Sequence, residues 1–222
     1  LISKISNDDF SNEKFKFGYG KFATLGSKKV WAQRLSYVGE LGFELYIENK
    51  NAKEIYQLII EEGKNHNLSH CGSHAMDTMR MESGFLHWGH DISPEENQYE
   101  AGLNFAISYK KETNFIGKES LLKIKEKIQN RRFIMLSLKD SKPGTPLLLH
   151  EEPIYLGDKI IGRTTSGNYS FNYKKNLSFG YVSSSHSNEE LSKMDLYIEV
   201  AKQKLPALVE ITPLKDKQAR FL

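Results

Sequence analysis

The chain of 222 residues holds a single cysteine, Cys71. No internal disulfide can therefore staple the fold, and paired-thiol chemistry is excluded. A lone thiol fits a reducing, cytoplasm-like compartment. Long hydrophobic runs are also missing: nothing approaches the roughly 18 apolar residues that span a bilayer. The opening residues, LISKISNDDF, do not read as a signal peptide. Charge of one sign is not in excess, since 31 basic side chains face 28 acidic ones, a formal net charge of +3. The lysines are dispersed rather than gathered on a basic, aromatic surface, which argues against a nucleic-acid partner. No HExxH, paired CxxC or GK[ST] motif occurs. The expectation is a partner that is neither nucleic acid nor membrane.

What is present suffices for a core, with 39% hydrophobic and 11% aromatic residues. Residues 14–24 (KFKFGYGKFAT), 29–38 (KVWAQRLSYV) and 42–48 read as three strands of an antiparallel meander. In the last of these, Phe43, Leu45 and Ile47 point one way, while Glu44, Tyr46 and Glu48 point the other. A tight turn at Gly39-Glu40-Leu41-Gly42 leads into it. Then Ala52, Ile55, Tyr56, Ile59, Ile60 and Gly63 share one helical face. Asn51 and Glu54 suggest a capping box at the start of that helix, and Gly63 its end. A second helix is expected over 73–83, a strand near 103–109, and a third helix from Gly117 with Leu121, Ile124 and Ile128 inward. Beyond about residue 130, short β-type runs separated by turn residues signal a small barrel. Leu1, Ile2 and Ile5 read as the last turn of an amphipathic helix, so the sequence is expected to be the C-terminal part of something longer.

Several stretches carry candidate chemistry. His66, His70, His74, His87 and His90 lie close together in sequence, with Cys71 beside His70. Zinc needs three or four converging ligands. Gly72 interrupts the helix that would align His70 with His74, so solvated or core-satisfied histidines are the better reading and no metal is expected. Cys71 as a nucleophile would need a base and a depressed pKa, with no local signature to support it. Phe17-Gly18-Tyr19-Gly20 lacks the helix that a phosphate loop requires. Arg80 is more informative. It sits among Met76, Met79 and Met81, three residues after Asp77 and ahead of Phe85 and Trp88. That pattern suits either an ordinary helix pair or a clamp on a carboxylate.

The ordered stretches RLSYVGELGFEL, AMDTMRMESGFLHWGHDI, YEAGLNFAI, FIGKESLLKIK and IIGRTTSGNYSFNYKKNLSFGYV resemble one family. It is the glycine-cleavage T-protein (aminomethyltransferase) family, with the nearest likeness to the folate-binding C-terminal region of dimethylglycine and sarcosine dehydrogenases. The resemblance implies an α+β fold. An antiparallel sheet with helices, part of a T-protein folate-binding domain, would cover residues 1–129, and a small C-terminal β-barrel 130–222. It implies tetrahydrofolate as cofactor, with FAD only in a missing upstream domain of the same parent protein.

In the family's YxGExGxE pattern the tyrosine and last glutamate line the folate pocket; here these are Tyr37 and Glu44. A pterin presents its 2-amino group and N3–H side by side, two donors that a carboxylate accepts as a pair. Glu40 is expected to be structural. Arg80 matches an arginine that resembles a ligand for the folate's anionic tail, and Trp88 stands where the family has a tyrosine. Met76 replaces a family arginine. The TTSGNYS stretch is read as a packing turn. A family aspartate near folate N10 lies well upstream of the YxGExGxE pattern, and Asp8 and Asp9 are too close to fill its place. The implied function is capture of a methylene group from an N-methyl amine as 5,10-methylenetetrahydrofolate. Alternatives are a fragment of the glycine-cleavage aminomethyltransferase itself and a non-catalytic folate-binding module. No catalytic residue is assigned.

Overall fold

The computed structural model describes residues 1–127, 129–183 and 185–215. The chain forms two compact units. One holds Leu1–Met76 with Lys215, the other Asp77–Leu214.

In the first unit, a short helix α1 (Ile2–Ile5) precedes β1 (Gly20–Leu25), β2 (Lys28–Gln33) and β3 (Glu44–Tyr46). They form an antiparallel sheet in the order β1-β2-β3. Period-two alternation decides its faces. Ala23, Leu25, Val30 and Ala32 are buried, with Phe43, Leu45 and Ile47 packed against them. The covering helix α2 (Asn49–Gly63) contributes Ile55, Leu58 and Ile59. Phe10, Phe15 and Phe43 close the core with ring centroids 5.2–5.5 Å apart, a spacing suited to edge and tilted aromatic contacts.

Helix α2 begins at Asn49, two residues before the expected capping box, and no side chain caps it. Ala52 and Tyr56 are exposed, and Leu58 takes the inward place instead. Along β1, Asp8 Oδ2 accepts the Thr24 N–H at 2.7 Å and Ser6 Oγ donates to the Thr24 carbonyl at 2.7 Å.

In the second unit, α3 (Ser73–Glu82) supplies its residues from Asp77 onward. The expected strand near 103–109 is instead a 3₁₀ turn over Asn104–Ala106. Helix α4 (Lys118–Lys125) starts after Gly117 as expected, with Leu121 and Ile124 half-buried; Ile128 lies outside the described residues. Then come β4 (Arg131–Leu138), β5 (Pro153–Leu156), β6 (Lys159–Ser170) and β7 (Lys175–Ser183). A one-turn helix α5 (Asn188–Leu191) precedes β8 (Leu196–Val200) and β9 (Gln203–Glu210). The six strands close as a barrel in the order β4-β7-β6-β5-β8-β9. Inward Ile134, Leu136, Leu138, Ile154, Val182 and Ile198 fill it, and closure removes the exposed strand edges an open sheet would leave. The fold is therefore α+β with a C-terminal barrel.

The β6–β7 pair approaches closely at Gly162. A Cβ there would come within 1.9 Å of the Tyr181 carbonyl oxygen, which is backbone and cannot swing away. We expect Gly162→Ala to destabilise the chain by about 1–3 kcal/mol, read as a lowered urea midpoint with an unchanged slope. An unaltered midpoint would show that the strands separate freely at this point.

Candidate functional site

The outward face of the three-stranded sheet carries the first cluster. Its register sets Phe22 opposite Trp31 and Trp31 opposite Tyr46, while Gln33 faces Glu44 one step along. Phe22, Trp31 and Tyr46 are exposed by 60%, 36% and 56%, so three aromatic side chains cross the sheet in one open row. Phe22 meets Trp31 edge-on at 5.0 Å, and Lys29 Nζ lies 4.1 Å from the Phe22 ring centroid. Gly20 makes room for the indole: a Cβ there would sit 2.4 Å from Trp31 Cζ2.

Glu44 lies on this face, exposed. Its Oε2 accepts from the Tyr46 hydroxyl at 2.8 Å. Among the described residues it enters no ion pair. The hydrogen bond to Glu44, and then its negative charge, raise the Tyr46 phenol above the usual 10.0.

Tyr37 is half-buried in the irregular segment between β2 and β3. That segment replaces the expected tight turn and the end of the expected strand. Ser36 Oγ gathers the Val38 and Glu40 amides at 3.3 and 3.2 Å. Glu40 is held by Lys215 Nζ at 2.5 Å. Its carboxylate thus meets a lysine. Asp9 accepts from the Ser11 amide at 2.8 Å, and its hydrogen bonds to Ser11 lower its pKa.

Arg80 and Trp88 belong to the other unit. Arg80 is 1% exposed. Its Nε donates to Asp77 Oδ1 at 2.7 Å, Nη1 to Asp91 Oδ2 at 2.5 Å and to the Phe85 carbonyl at 3.0 Å, and Nη2 to Ser166 Oγ at 2.7 Å. Asp91, also 1% exposed, further accepts the His87 amide at 2.9 Å, Ser166 Oγ at 2.7 Å and the Thr165 hydroxyl. The guanidinium is thus committed to protein acceptors on three of its nitrogens. Trp88 is 66% exposed on a loop pinned by the Trp88–Ile92 bridge.

The TTSGNYS stretch is no turn. It is the second half of β6, and its register slips between Thr164 and Ser166. In a regular strand neighbouring side chains face opposite ways; the bulge lets both Thr165 and Ser166 reach Asp91. Further along, Ser170 Oγ and Asn172 Nδ2 donate to the buried Glu82 carboxylate at 2.6 and 2.8 Å. Sequence reading named none of Asp91, Thr165, Ser166 or Glu82 as polar partners. Sequence reading also missed the row at Trp31, although the alternation of Val30 and Ala32 around it was the signal that could have found it. No group of three or more metal-ligating side chains converges among the described residues.

A family model described as the GCVT N-terminal domain matches residues 1–111. A second, the glycine cleavage T-protein C-terminal barrel domain, matches 131–216. The chain belongs to the glycine-cleavage T-protein family. It is 34% identical over 218 residues to mitochondrial dimethylglycine dehydrogenase of Homo sapiens, covering 96% of this chain and 24% of that protein. It is 33% identical over 213 residues to an aminomethyltransferase of Listeria innocua, covering 96% of this chain and 56% of that protein. The crystal structure of the glycine cleavage system aminomethyltransferase T from Bartonella henselae shares the fold. There the TM-score is 0.78 at 21% identity, over 96% of this chain and 56% of that one. The chain thus spans about a quarter to about half of these relatives.

Replacing Arg80 with Ala would strand Asp91 as a buried, unpaired carboxylate. The expected loss is about 3–5 kcal/mol, measured by chemical denaturation. A variant as stable as the parent would show that water reaches this site. At the sheet face, Glu44→Gln should bring the Tyr46 titration down toward 10.0. Tyrosinate absorbance, with Tyr46→Phe to identify the signal, measures this; an unmoved midpoint would mean that the carboxylate does not hold the phenol.

Proposed function

We propose that this chain supplies the tetrahydrofolate-orienting part of an enzyme that transfers one-carbon units, with Glu44 as the pterin-reading group. One observation carries the reading: Glu44 projects outward, in no ion pair among the described residues, beside an open aromatic row on the three-stranded sheet. The donor set fits the ligand. A carboxylate can take the paired 2-amino and N3–H donors of a pterin, and Trp31 or Tyr46 offers a ring face to a planar heterocycle. Tyr37, at the entrance to the same strand, would border the pterin. Trp88 stays in this reading as an exposed aromatic of its own unit, and Arg80 as a residue that holds the neighbouring loop in place, since its donors are already taken.

Bound tetrahydrofolate would supply N5 and N10 as acceptors of the carbon, giving 5,10-methylenetetrahydrofolate. The protein's contribution is to fix orientation, which is worth several kcal/mol when reacting atoms are held within attack distance. The oxidation of an N-methyl amine, with its FAD, belongs in this reading to an upstream domain of a longer parent. We place the module boundary near 129/130, between the two family matches. A reading as part of a glycine-cleavage aminomethyltransferase stands beside it, because identity to the aminomethyltransferase is nearly that to the dehydrogenase.

Isothermal titration of the chain with tetrahydrofolate tests the assignment. Loss of one charge-assisted pair should weaken binding about ten- to hundredfold in Glu44→Gln. Trp31→Ala should weaken it as well, and Gly20→Ala should mimic Trp31→Ala by displacing the indole. Equal affinity of Glu44→Gln and parent would remove Glu44 from the site.

A further inference from the structure

The barrel unit carries a cleft that the folate reading does not use. It has a volume of about 740 Å³ and opens between the β4–β5 connection, the β6–β7 turn and the β8–β9 hairpin. Its apolar lining comes from Leu138, Val200 and Leu205, which face the barrel core, and from the exposed Leu208. Its rim is basic: Lys139, Lys142, Lys174 and Lys175 all line it, against one acidic residue, Asp140. Lys175 is neutralised by Glu210 at 2.5 Å. Lys139, Lys142 and Lys174 are exposed and enter no ion pair among the described residues.

These lysines project from a braced loop. The buried Asn176 donates its amide to Ser141 Oγ at 2.9 Å and its Nδ2 to the Lys142 carbonyl at 3.2 Å. Ser141 Oγ in turn donates to the Leu138 carbonyl at 3.1 Å, and the Thr145 amide donates to Lys142 O at 3.2 Å. The backbone bearing the charges is therefore ordered before any ligand arrives, which lowers the entropic cost of binding. A volume in the range of small-molecule sites, an apolar lining and several exposed lysines along it together specify an amphipathic ligand.

We propose that this cleft binds a small anion consisting of a phosphate or carboxylate on an apolar stem, the head between Lys142 and Lys174 and the stem against Val200 and Leu205, which share the inward face with Leu138. Ammonium groups act as point charges toward such heads and do not demand a forked geometry. Either headgroup would therefore satisfy the site.

The test is methyl-detected NMR titration of the whole chain with phenyl phosphate, phenylacetate, inorganic phosphate and benzyl alcohol. Phenyl phosphate or phenylacetate should shift the methyl signals of Leu138, Val200 and Leu205. It should bind at least tenfold tighter than either inorganic phosphate or the neutral alcohol, and the stronger of the two anions identifies the head. Lys142→Gln combined with Lys174→Asn changes only exposed side chains, and Asn tolerates the left-handed backbone at position 174 (φ 53°). This variant should weaken binding about tenfold while leaving the methyl spectrum folded. Three results would each overturn the proposal: no shift at these methyl groups, inorganic phosphate binding as tightly as the aryl anions, or an affinity indifferent to the two lysine substitutions.

Discussion

A buried ion pair between Arg80 and Asp91 organises the barrel unit. Two charges at 1% exposure are expensive to desolvate. They persist here because nearly every lone pair and proton has a partner: Asp77, the Phe85 carbonyl and Ser166 for the arginine, the His87 amide, Thr165 and Ser166 for the aspartate. The strand bulge at Thr165 gives one carboxylate two neighbouring hydroxyls. Helix α3, the loop through Asp91 and strand β6 are thereby fixed to one another by polar geometry. The Met81, Met135, Leu177 and Phe179 cluster adds apolar packing in the same unit. Glu82, bonded to Ser170 and Asn172, extends the arrangement along the strand.

The other unit is arranged on a different principle. Its sheet has one face sealed by aliphatic and phenylalanine side chains and the other left to an aromatic row beside Glu44. Burying that carboxylate would demand a counter-charge; leaving it outward keeps it available for a ligand's donors. Arg34 shows the alternative treatment of a charge in the same unit. It is 4% exposed, and its Nη1 donates to the Phe15 carbonyl at 2.6 Å, so it ties the N-terminal segment to the sheet.

Periodicity made much of this legible. The alternation around Phe43–Glu48 gave the correct faces, the helices from residue 73 and from Gly117 began where expected, and turn spacing revealed a barrel. The failures share a cause. LNFAISY reads as a strand by residue type but pairs with no strand among the described residues and settles as a turn. TTSGNYS reads as a turn because it is rich in small polar residues, yet those hydroxyls are there to solvate buried carboxylates. Arg80 offered two readings, and the discriminating partner, Ser166, lies far along the chain where local spacing carries no information. Asp91 was visible only as a letter in HWGHD, since nothing in its neighbourhood announces burial.

The pair Ser6 and Asp8 has a consequence for association. By occupying both the amide and the carbonyl of Thr24, they cover part of the outer rim of β1 where a foreign strand would otherwise align its own backbone. A neighbouring chain seeking to lengthen this sheet would first have to displace a carboxylate and a hydroxyl already seated. The N-terminal segment thus guards the molecule against templated, sheet-on-sheet growth at one border.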